Sequence, residues 1–283
     1  MNRRIFNALS VASIVAVAGV LFGCSGQGSP AQKAGASAAG SADAPKVAGV
    51  SREGGRIVVG LEDNFAPMEF RDKNGALVGY DIDLANEVFK RANLPFEHKS
   101  INWDKKEDFL LKDKSIDIIW SAMTVTEERK RIFGLSTPYF KSRQVIIVPI
   151  NSSINEKNDL GGKTVIIQSG GFVQEALKNF SGTNGAIAKL VEAPELTVAL
   201  TNLLENKGDA VIGEEMVVNY YISRSPGKFR ILKEDFGEND IAIGFRPGDT
   251  ELISKINQAL DSVRKDGTEQ VIYKKWFGDA VAQ

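Results

Sequence analysis

The segment SAMTVTEER, residues 121–129, indicates the architecture more strongly than any other stretch of the sequence. It follows residues 116–120, which are apolar except for Asp117 and read as a short buried strand, and it leads into a helix that Thr126 can cap. Free backbone N–H groups and the positive dipole end at the start of a helix favour an anion. The guanidinium of Arg129 lies near this helix start and matches the two oxygens of a carboxylate. The segment therefore predicts a strand, a carboxylate-binding loop and a helix, although a surface arginine balanced by its two neighbouring glutamates explains it equally well.

Strands and helices alternate on both sides of this segment. The periodicity predicts strands over 56–60, 144–148, 163–167, 209–212 and 241–245, and helices over 81–92, 195–206 and 250–265. This alternation is typical of an α/β fold with largely parallel sheets.

The N-terminal residues read as a processing signal rather than as part of the fold. Residues 2–4 include two arginines, and 5–22 is mostly apolar, without an acidic residue, and too interrupted to span a membrane. The segment LFGC, residues 21–24, resembles the bacterial lipobox, which implies that Cys24 becomes the lipidated first residue after cleavage of 1–23. Cys24 is the sole cysteine of the chain, and the alternative is a chance residue within the signal. The Ser-, Ala- and Gly-rich remainder of 24–55 is expected to be a flexible tether.

Composition argues against several classes of function. The net charge of −1 gives no electrostatic reason to expect nucleic acid as a partner. A Ser-His-Asp triad would have to use the single histidine, His98, whose mixed polar surroundings favour a solvated strand or loop. No His/Cys cluster has zinc-ligand spacing, so neither a metal nor a cofactor is expected. Carboxylate-based catalysis stays open, and the charged run 105–108 reads as a solvated helix start.

Six motifs in order, one of which overlaps the segment 121–129, establish a family resemblance. The sequence resembles the polar-amino-acid-binding proteins of ABC importers, solute-binding family 3, over about residues 56–278. The motifs that carry the resemblance are GLEDNFAPMEF (60–70), GYDIDL (79–84), TVTEER with FGLSTPY (124–129 and 133–139), QSG (168–170), GDAV (208–211) and DGT to KWFG (266–278).

The resemblance implies a type II periplasmic-binding-protein fold, in which two α/β lobes are joined by two crossover strands. Lobe 1 is then expected over 56–140 and 242–283 and lobe 2 over 144–236. The hinges are expected near 140–143 and 237–241. Closure of the lobes around a ligand is a known switching mode.

Binding positions are carried over from the resemblance one residue at a time. Arg129 matches the arginine that holds the ligand's α-carboxylate, helped by Ala122 and Thr124. Glu214 falls where the family has an aspartate that holds the α-ammonium, at the end of a predicted strand. At both 214 and 62 a glutamate stands where the family has an aspartate, so each side chain is longer by one methylene.

The remaining positions concern the ligand's side chain. Phe65 and Trp103 match the aromatic pair that sandwiches it, and Glu62 faces its far end. Gln168 and Phe172 match variable positions at the rim of lobe 2, and a phenylalanine at 172 makes that rim more apolar than usual. The alternatives are that the two aromatic residues belong to the core and that Glu62 is a surface acid.

These assignments predict a monomeric extracytoplasmic receptor that delivers a free polar amino acid to the permease and ATPase of an ABC importer. Lysine, arginine, histidine and glutamine are the candidate ligands, because a carboxylate beside two aromatic rings favours a cationic or donor-rich group. The expected location is the periplasm or the outer face of the cell membrane, with an anchor at Cys24. The alternatives are a cyclohexadienyl dehydratase-like enzyme on the same fold and an amino-acid sensor subunit.

Overall fold

Two five-stranded sheets organise the part of the chain that the computed structural model describes, residues 55–177, 180–183 and 185–278. All of these residues fall in one compact unit. The predicted signal 1–23, Cys24 and the tether up to residue 54 lie outside the described residues.

The elements alternate as the sequence pattern predicts. The first group is β1 Ile57–Leu61, β2 Asn64–Phe65, β3 Glu69–Arg71, β4 Leu77–Val78, α1 Tyr80–Ala92, β5 Phe96–Ser100, β6 Ile118–Ile119, α2 Glu127–Ile132 and β7 Gly134–Leu135. The second group is β8 Phe140–Pro149, β9 Thr164–Gln168, α3 Val173–Leu177, β10 Ser181–Gly182, β11 Gly185–Ala186, β12 Lys189–Ala193, α4 Leu196–Leu204, β13 Ala210–Glu214, α5 Glu215–Ser223 and β14 Phe229–Ile241. The chain returns through β15 Gly244–Phe245, α6 Thr250–Lys265 and α7 Thr268–Phe277. Short non-α helices cover Trp103–Lys105, Asp108–Lys112 and Lys157–Leu160.

The first sheet has the strand order β5-β1-β6-β15-β7, and the second has the order β12-β9-β13-β8-β14. In the first, β1 is parallel to β5 and β6, whereas β15 is antiparallel to β6 and β7. In the second, β9 is parallel to β12 and β13, whereas β8 is antiparallel to β13 and β14. The expectation of largely parallel sheets is therefore only half right. The physical reason is that β8 carries the chain into the second sheet and β14, its neighbour, carries it out, so the two strands run in opposite directions.

The long strands β8 and β14 connect the two sheets. They pair from Pro149 with Phe229 at one end to Phe140 with Ile241 at the other. Beyond that end, Thr124 forms an isolated bridge with Ile241 next to the first sheet. The α/β prediction with two lobes is confirmed, and the exact lobe and hinge boundaries given above stay predictions.

Helices α1 and α6 cover the first sheet with the apolar faces that the sequence predicts. Val88 and Phe89 of α1 and Ile256 and Leu260 of α6 are at most 1% exposed and belong to the same core. Burying a side chain of this size contributes about 1.5–3 kcal/mol, which is why the amphipathic pattern fixes both helices. Within the described ranges, no helix combines the length and the apolarity that crossing a membrane requires.

Gly79 allows α1 to begin close to the backbone at the start of β3. Its φ is 143°, and a Cβ at this position would lie 2.1 Å from the carbonyl oxygen of Met68. The amide of Asp81 donates to that same oxygen at 2.8 Å. This close approach brings the first turn of α1 beside β3, under the loop that follows β6.

Candidate functional site

A cavity of about 50 Å³ lies between the two lobes and is lined by residues of both. Its walls come from the ends of β1 and β6 on one side and of β9 and β13 on the other. The structure brings all the residues predicted for ligand binding to this cavity: Glu62, Phe65, Trp103, Ala122, Thr124, Arg129, Gln168, Phe172 and Glu214. A site at the carboxyl ends of strands is where open α/β sheets usually bind ligands.

Arg129 is buried in the first turn of α2, with 8% of its surface exposed. Thr126 caps the helix, because its Oγ1 accepts from the Arg129 amide at 3.0 Å. The guanidinium donates to the Thr124 carbonyl at 2.8 Å and to the Gly170 carbonyl at 3.1 Å. Burial lowers the pKa of Arg129 to about 10, so it is a cation at neutral pH. The alternative of a surface arginine balanced by its neighbouring glutamates is therefore wrong.

Among the described residues, no carboxylate lies within ion-pair distance of the Arg129 guanidinium. A buried cation whose recorded partners are carbonyl oxygens is poorly compensated. An anion entering the cavity would supply that compensation, and a carboxylate would use two donors of the guanidinium at once.

Glu214 ends β13 on the opposite wall of the cavity and is also 8% exposed. Its Oε1 accepts from Thr124 Oγ1 at 2.8 Å and from Gln144 Nε2. Its Oε2 is buried and contacts no donor among the described residues. Burial raises the pKa of Glu214, while the nearby hydroxyl groups of Ser142 and Thr124 and the charge of Arg129 oppose this effect. The free oxygen can accept from an ammonium group.

Glu62 follows β1 and faces the side chain of Gln168 from the other lobe. Gln168 Nε2 donates to both carboxylate oxygens, at 3.0 and 2.9 Å. Burial raises the pKa of Glu62 to about 7, and the charges of Glu195 and Asp104 add to the rise. With 8% exposure, Glu62 is not the surface acid that the alternative required. A cation in the cavity would stabilise its ionised form.

Aromatic side chains form the apolar part of the cavity. Phe65 is buried and also packs in the main core, and Trp103 packs against a second core cluster. Phe65 therefore lines the cavity and belongs to the core, whereas Trp103 lines the cavity and packs at the edge of its cluster. The Arg129 guanidinium lies 5.7 Å from the centre of the Trp103 ring, and Phe172 is half-buried at the rim of lobe 2.

Ala122 lines the cavity, but its N–H group points into lobe 1. This amide donates to Asp81 Oδ2 at 2.9 Å, and the residue has a φ of 42°. Its predicted help to the ligand carboxylate therefore cannot come from a free amide. Arg129 is the charged donor on this wall, whereas the Thr124 hydroxyl already donates to Glu214.

The Gly170 carbonyl of lobe 2 accepts from three donors of lobe 1. They are Trp103 Nε1 at 3.2 Å, Arg129 at 3.1 Å and Lys106 Nζ at 3.4 Å. The interpretation of 105–108 as a solvated helix start is wrong for Lys106, which is 5% exposed. Burial, with the neighbouring charge of Arg129, lowers the pKa of Lys106 to about 8. Its position three residues after Trp103, on the same face of a helical turn, was a signal that could have placed it here.

Sequence reasoning also missed the polar residues that hold the predicted ones. Ser121 accepts from the Glu62 amide at 3.0 Å, and Gln144 donates to Glu214. Both line the cavity. Ser121 follows the strand expected over 116–120 and Gln144 begins the one expected over 144–148, and these positions were the available signal, although Gln144 lies in the middle of β8 in the structure.

Comparisons with known proteins agree with this geometry. A probable histidine-binding protein of Neisseria gonorrhoeae is 31% identical over 220 residues, which cover 75% of this chain and 80% of that protein. An ancestral arginine-binding protein solved with arginine is 37% identical, with a TM-score of 0.73 over 79% of this chain and 99% of that one. The arginine-, lysine-, histidine-binding protein ArtJ of Geobacillus stearothermophilus is 35% identical, with a TM-score of 0.73 over 80% and 97% of the two chains. Residues 57–279 match the family described as bacterial extracellular solute-binding proteins, family 3. The chain belongs to this family.

Proposed function

We propose that the cavity binds a free polar amino acid, which the protein delivers to the permease and ATPase of an ABC importer. The observation that carries this proposal is the pairing of Arg129 with Glu214. One is a buried cation without a described carboxylate partner, and the other is a buried carboxyl with an oxygen that no described donor reaches. Together they match the α-carboxylate and α-ammonium of one amino acid. The relatives named for histidine, arginine and lysine support this substrate class.

The side chain of the ligand is proposed to be cationic or amide-bearing. It would lie between Phe65 and Trp103 and end at Glu62, in place of the hydrogen bonds from Gln168. A guanidinium, imidazolium or ammonium group would pair with Glu62 and stack on the rings. A carboxamide would donate to Glu62 without a charge. Arginine, lysine, histidine and glutamine are therefore the candidates.

Binding requires the lobes to part, because a cavity of about 50 Å³ holds only a few water molecules. We infer that the ligand enters an open form and binds the lobe 1 wall around Arg129 first. Lobe 2 then brings Glu214 to the ammonium, with hinges at 140–143 and 237–241. A ligand shifts the equilibrium between the open and closed forms only to the extent that it binds the closed form more tightly.

The family supports an extracytoplasmic location, and the N-terminal sequence is the basis for a proposed anchor. The family is extracellular. We propose that 1–23 is a signal that is removed, that Cys24 is lipidated, and that the rest of 24–55 tethers a monomeric domain to the membrane. Labelling with a radioactive fatty acid, compared between the wild type and Cys24→Ala, tests the anchor. Equal labelling of both proteins would contradict it.

One observation favours a second candidate, a dehydratase-like enzyme. Glu62 is a cavity carboxyl whose pKa is raised to about 7, which suits a general acid. We prefer the receptor, because Arg129 and Glu214 together explain the binding of an amino acid and their arrangement requires no chemical reaction. A sensor subunit would use the same pair and differs only in its membrane partner.

The test is a calorimetric titration of the purified full-length chain, kept soluble in mild detergent. The panel contains the twenty common amino acids, cystine and prephenate. Tight binding of one or a few cationic or amide amino acids, with the ligand recovered unchanged, is the expected result. Conversion of prephenate would establish the enzyme instead, and no binding of any amino acid would refute the receptor.

A further inference from the structure

Two carboxyl groups lie buried in lobe 1 behind the wall of the cavity. Glu69 on β3 is 0% exposed and Asp81 in α1 is 1% exposed, and neither lines the cavity. Among the described residues, no lysine or arginine forms an ion pair with either group. Two uncompensated buried charges side by side would be strongly unfavourable.

Each carboxyl group holds one part of the cavity wall. Ser121 Oγ donates to Glu69 Oε1 and in turn accepts from the Glu62 amide at 3.0 Å. Asp81 Oδ2 accepts from the Ala122 amide at 2.9 Å and from the Tyr139 hydroxyl at 2.8 Å. The loop 121–124 and the backbone of Glu62 are therefore fixed from behind by these two side chains.

The two remaining oxygens, Glu69 Oε2 and Asp81 Oδ1, are buried and accept no hydrogen bond from a described residue, although the buried indole N–H of Trp120 lies near Asp81 and favours its ionised form. The two carboxyl groups are anchored on consecutive residues, Ser121 and Ala122, and lie close enough for a hydrogen bond between them to affect both pKa values. Two carboxylates have four acceptor oxygens and no hydrogen, so such a bond exists only if one group carries a proton. One added proton satisfies both orphaned oxygens.

The electrostatics of the surroundings agree with a retained proton. Burial, and then the charge of Asp81, raises the pKa of Glu69 well above its ordinary value. Burial also raises the pKa of Asp81, but the bonds from Tyr139 and Ala122 favour its ionised form. The other titratable groups that face the pair are Glu62, whose charge opposes ionisation of Glu69, and Tyr80, which lies next to Tyr139. The proton therefore belongs on Glu69 and the negative charge on Asp81.

We propose that Glu69 and Asp81 share one proton and act as a single positioning unit for the ligand wall formed by loop 121–124 and Glu62. In this arrangement Glu69 Oε2–H donates to Asp81 Oδ1, and every oxygen of the pair has a partner. Asp81 then holds Ala122 in its left-handed conformation, which a residue with a Cβ adopts only when its surroundings impose it. This role deepens the proposed function, because it names what orders the wall that carries Thr124 and Arg129.

The substitution Glu69→Gln mimics the protonated state. Its amide can donate permanently to Asp81 while its oxygen still accepts from Ser121, so the wall keeps its geometry at every pH. Glu69→Ala removes both bonds and leaves the Asp81 charge without this partner. Asp63→Asn is the matched control, because Asp63 lies on the same lobe and its pKa is lowered by bonds from Ser100 and Arg71.

The first readout is the infrared carbonyl band of an un-ionised carboxylic acid, recorded at pH 8 on the ligand-free full-length chain. We expect this band in the wild type and in Asp63→Asn, and its loss in Glu69→Gln. The spectrum of Glu62→Gln shows how much of this band comes from Glu62. Absence of the band in the wild type, or its persistence in Glu69→Gln, would overturn the shared proton.

The second readout is affinity for L-arginine, L-lysine, L-histidine and L-glutamine between pH 7 and 10. Glu69→Gln is expected to bind as the wild type does at pH 7 and to lose less affinity than the wild type on the alkaline side. Glu69→Ala is expected to bind about tenfold more weakly at pH 7. Identical pH profiles for the wild type and Glu69→Gln would overturn the positioning role. If none of the four probes binds the wild type, the proposed function fails, and the infrared band still decides whether the proton is there.

Discussion

Replacing Glu62 by glutamine should change how the stability of the protein depends on pH. The pKa of Glu62 is raised from its ordinary value of 4.5 to about 7 in the fold, chiefly by burial. Below about 4.5 the group is protonated whether the chain is folded or not, so the stability is unaffected there. Between the two values the folded chain holds a proton that the unfolded chain has released, so the free energy of unfolding falls as the pH rises. Above about 7 the loss is complete.

Each pKa unit corresponds to about 1.4 kcal/mol, so the ionisation of Glu62 costs the fold about 3 kcal/mol. Glu62→Gln removes this cost, because a neutral amide can keep a hydrogen bond with Gln168 without a buried charge. The assay is urea unfolding at pH 5 and pH 8. The stability of the wild type should fall between these values by up to about 3 kcal/mol more than that of Glu62→Gln.

Asp63→Asn is the control for this experiment, because the pKa of Asp63 is lowered by its bonds to Ser100 and Arg71 despite some burial. A group of this kind contributes stability above its unfolded pKa and loses it only as the pH falls through its folded value. Between pH 5 and pH 8 its substitution should leave the slope unchanged. Equal slopes for the wild type and Glu62→Gln would refute the buried, proton-retaining environment of Glu62.

Three further predictions concern the contact between lobes and the core. Gly79→Ala should lower the free energy of unfolding in urea by at least about 2 kcal/mol, because its added Cβ would lie 2.1 Å from the backbone oxygen of Met68. Gly227→Ala, also at positive φ but with nothing within 4 Å of the added Cβ, should cost clearly less, and equal losses would contradict the reasoning. Lys106→Met should raise the free energy of unfolding at pH 7 by up to about 3 kcal/mol, since burial lowers the pKa of Lys106 from 10.5 to about 8. The stability of the wild type should rise to that of Lys106→Met as the pH increases from 8 to 10.5. Lys105→Met, at an exposed position of the same segment, is the control and should leave the stability unchanged. A Lys106→Met protein that is less stable than the wild type at pH 7 would contradict the reasoning. Leu203→Ala, at a position 0% exposed, should cost about 2–5 kcal/mol in urea unfolding, and a cost below about 1 kcal/mol would contradict its place in the core.

The sequence predicted the helices well because their apolar faces repeat with a helical period. The buried positions of α1 and α6 fall where the pattern puts them, and each binding position carried over from the family lies on the cavity. The antiparallel direction of β8 and β14 could not be read from a local pattern, because it depends on where the chain goes after each strand.

Other features depend on tertiary contacts between residues far apart in the chain. Lys106 is buried because Gly170 of the other lobe covers it, and a charged run by itself predicts only solvent exposure. The Ala122 amide is occupied because Gly79 brings α1 close enough for Asp81 to reach it. Glu69 and Asp81 lie in motifs that carried the family resemblance, but a sequence motif does not show that their carboxyl groups lie close together in the fold.

The central claim is that Arg129 and Glu214 together bind the two charged groups of one amino acid. The most direct test is calorimetric titration of Arg129→Ala with the amino acid that binds the wild type most tightly. Arg131→Ala is the matched control, because Arg131 is an exposed arginine of the same helix. We predict no measurable binding to Arg129→Ala and unchanged binding to Arg131→Ala, because the ligand carboxylate would be buried without a cation. Wild-type affinity in Arg129→Ala would contradict the assignment of this cavity as the amino-acid site.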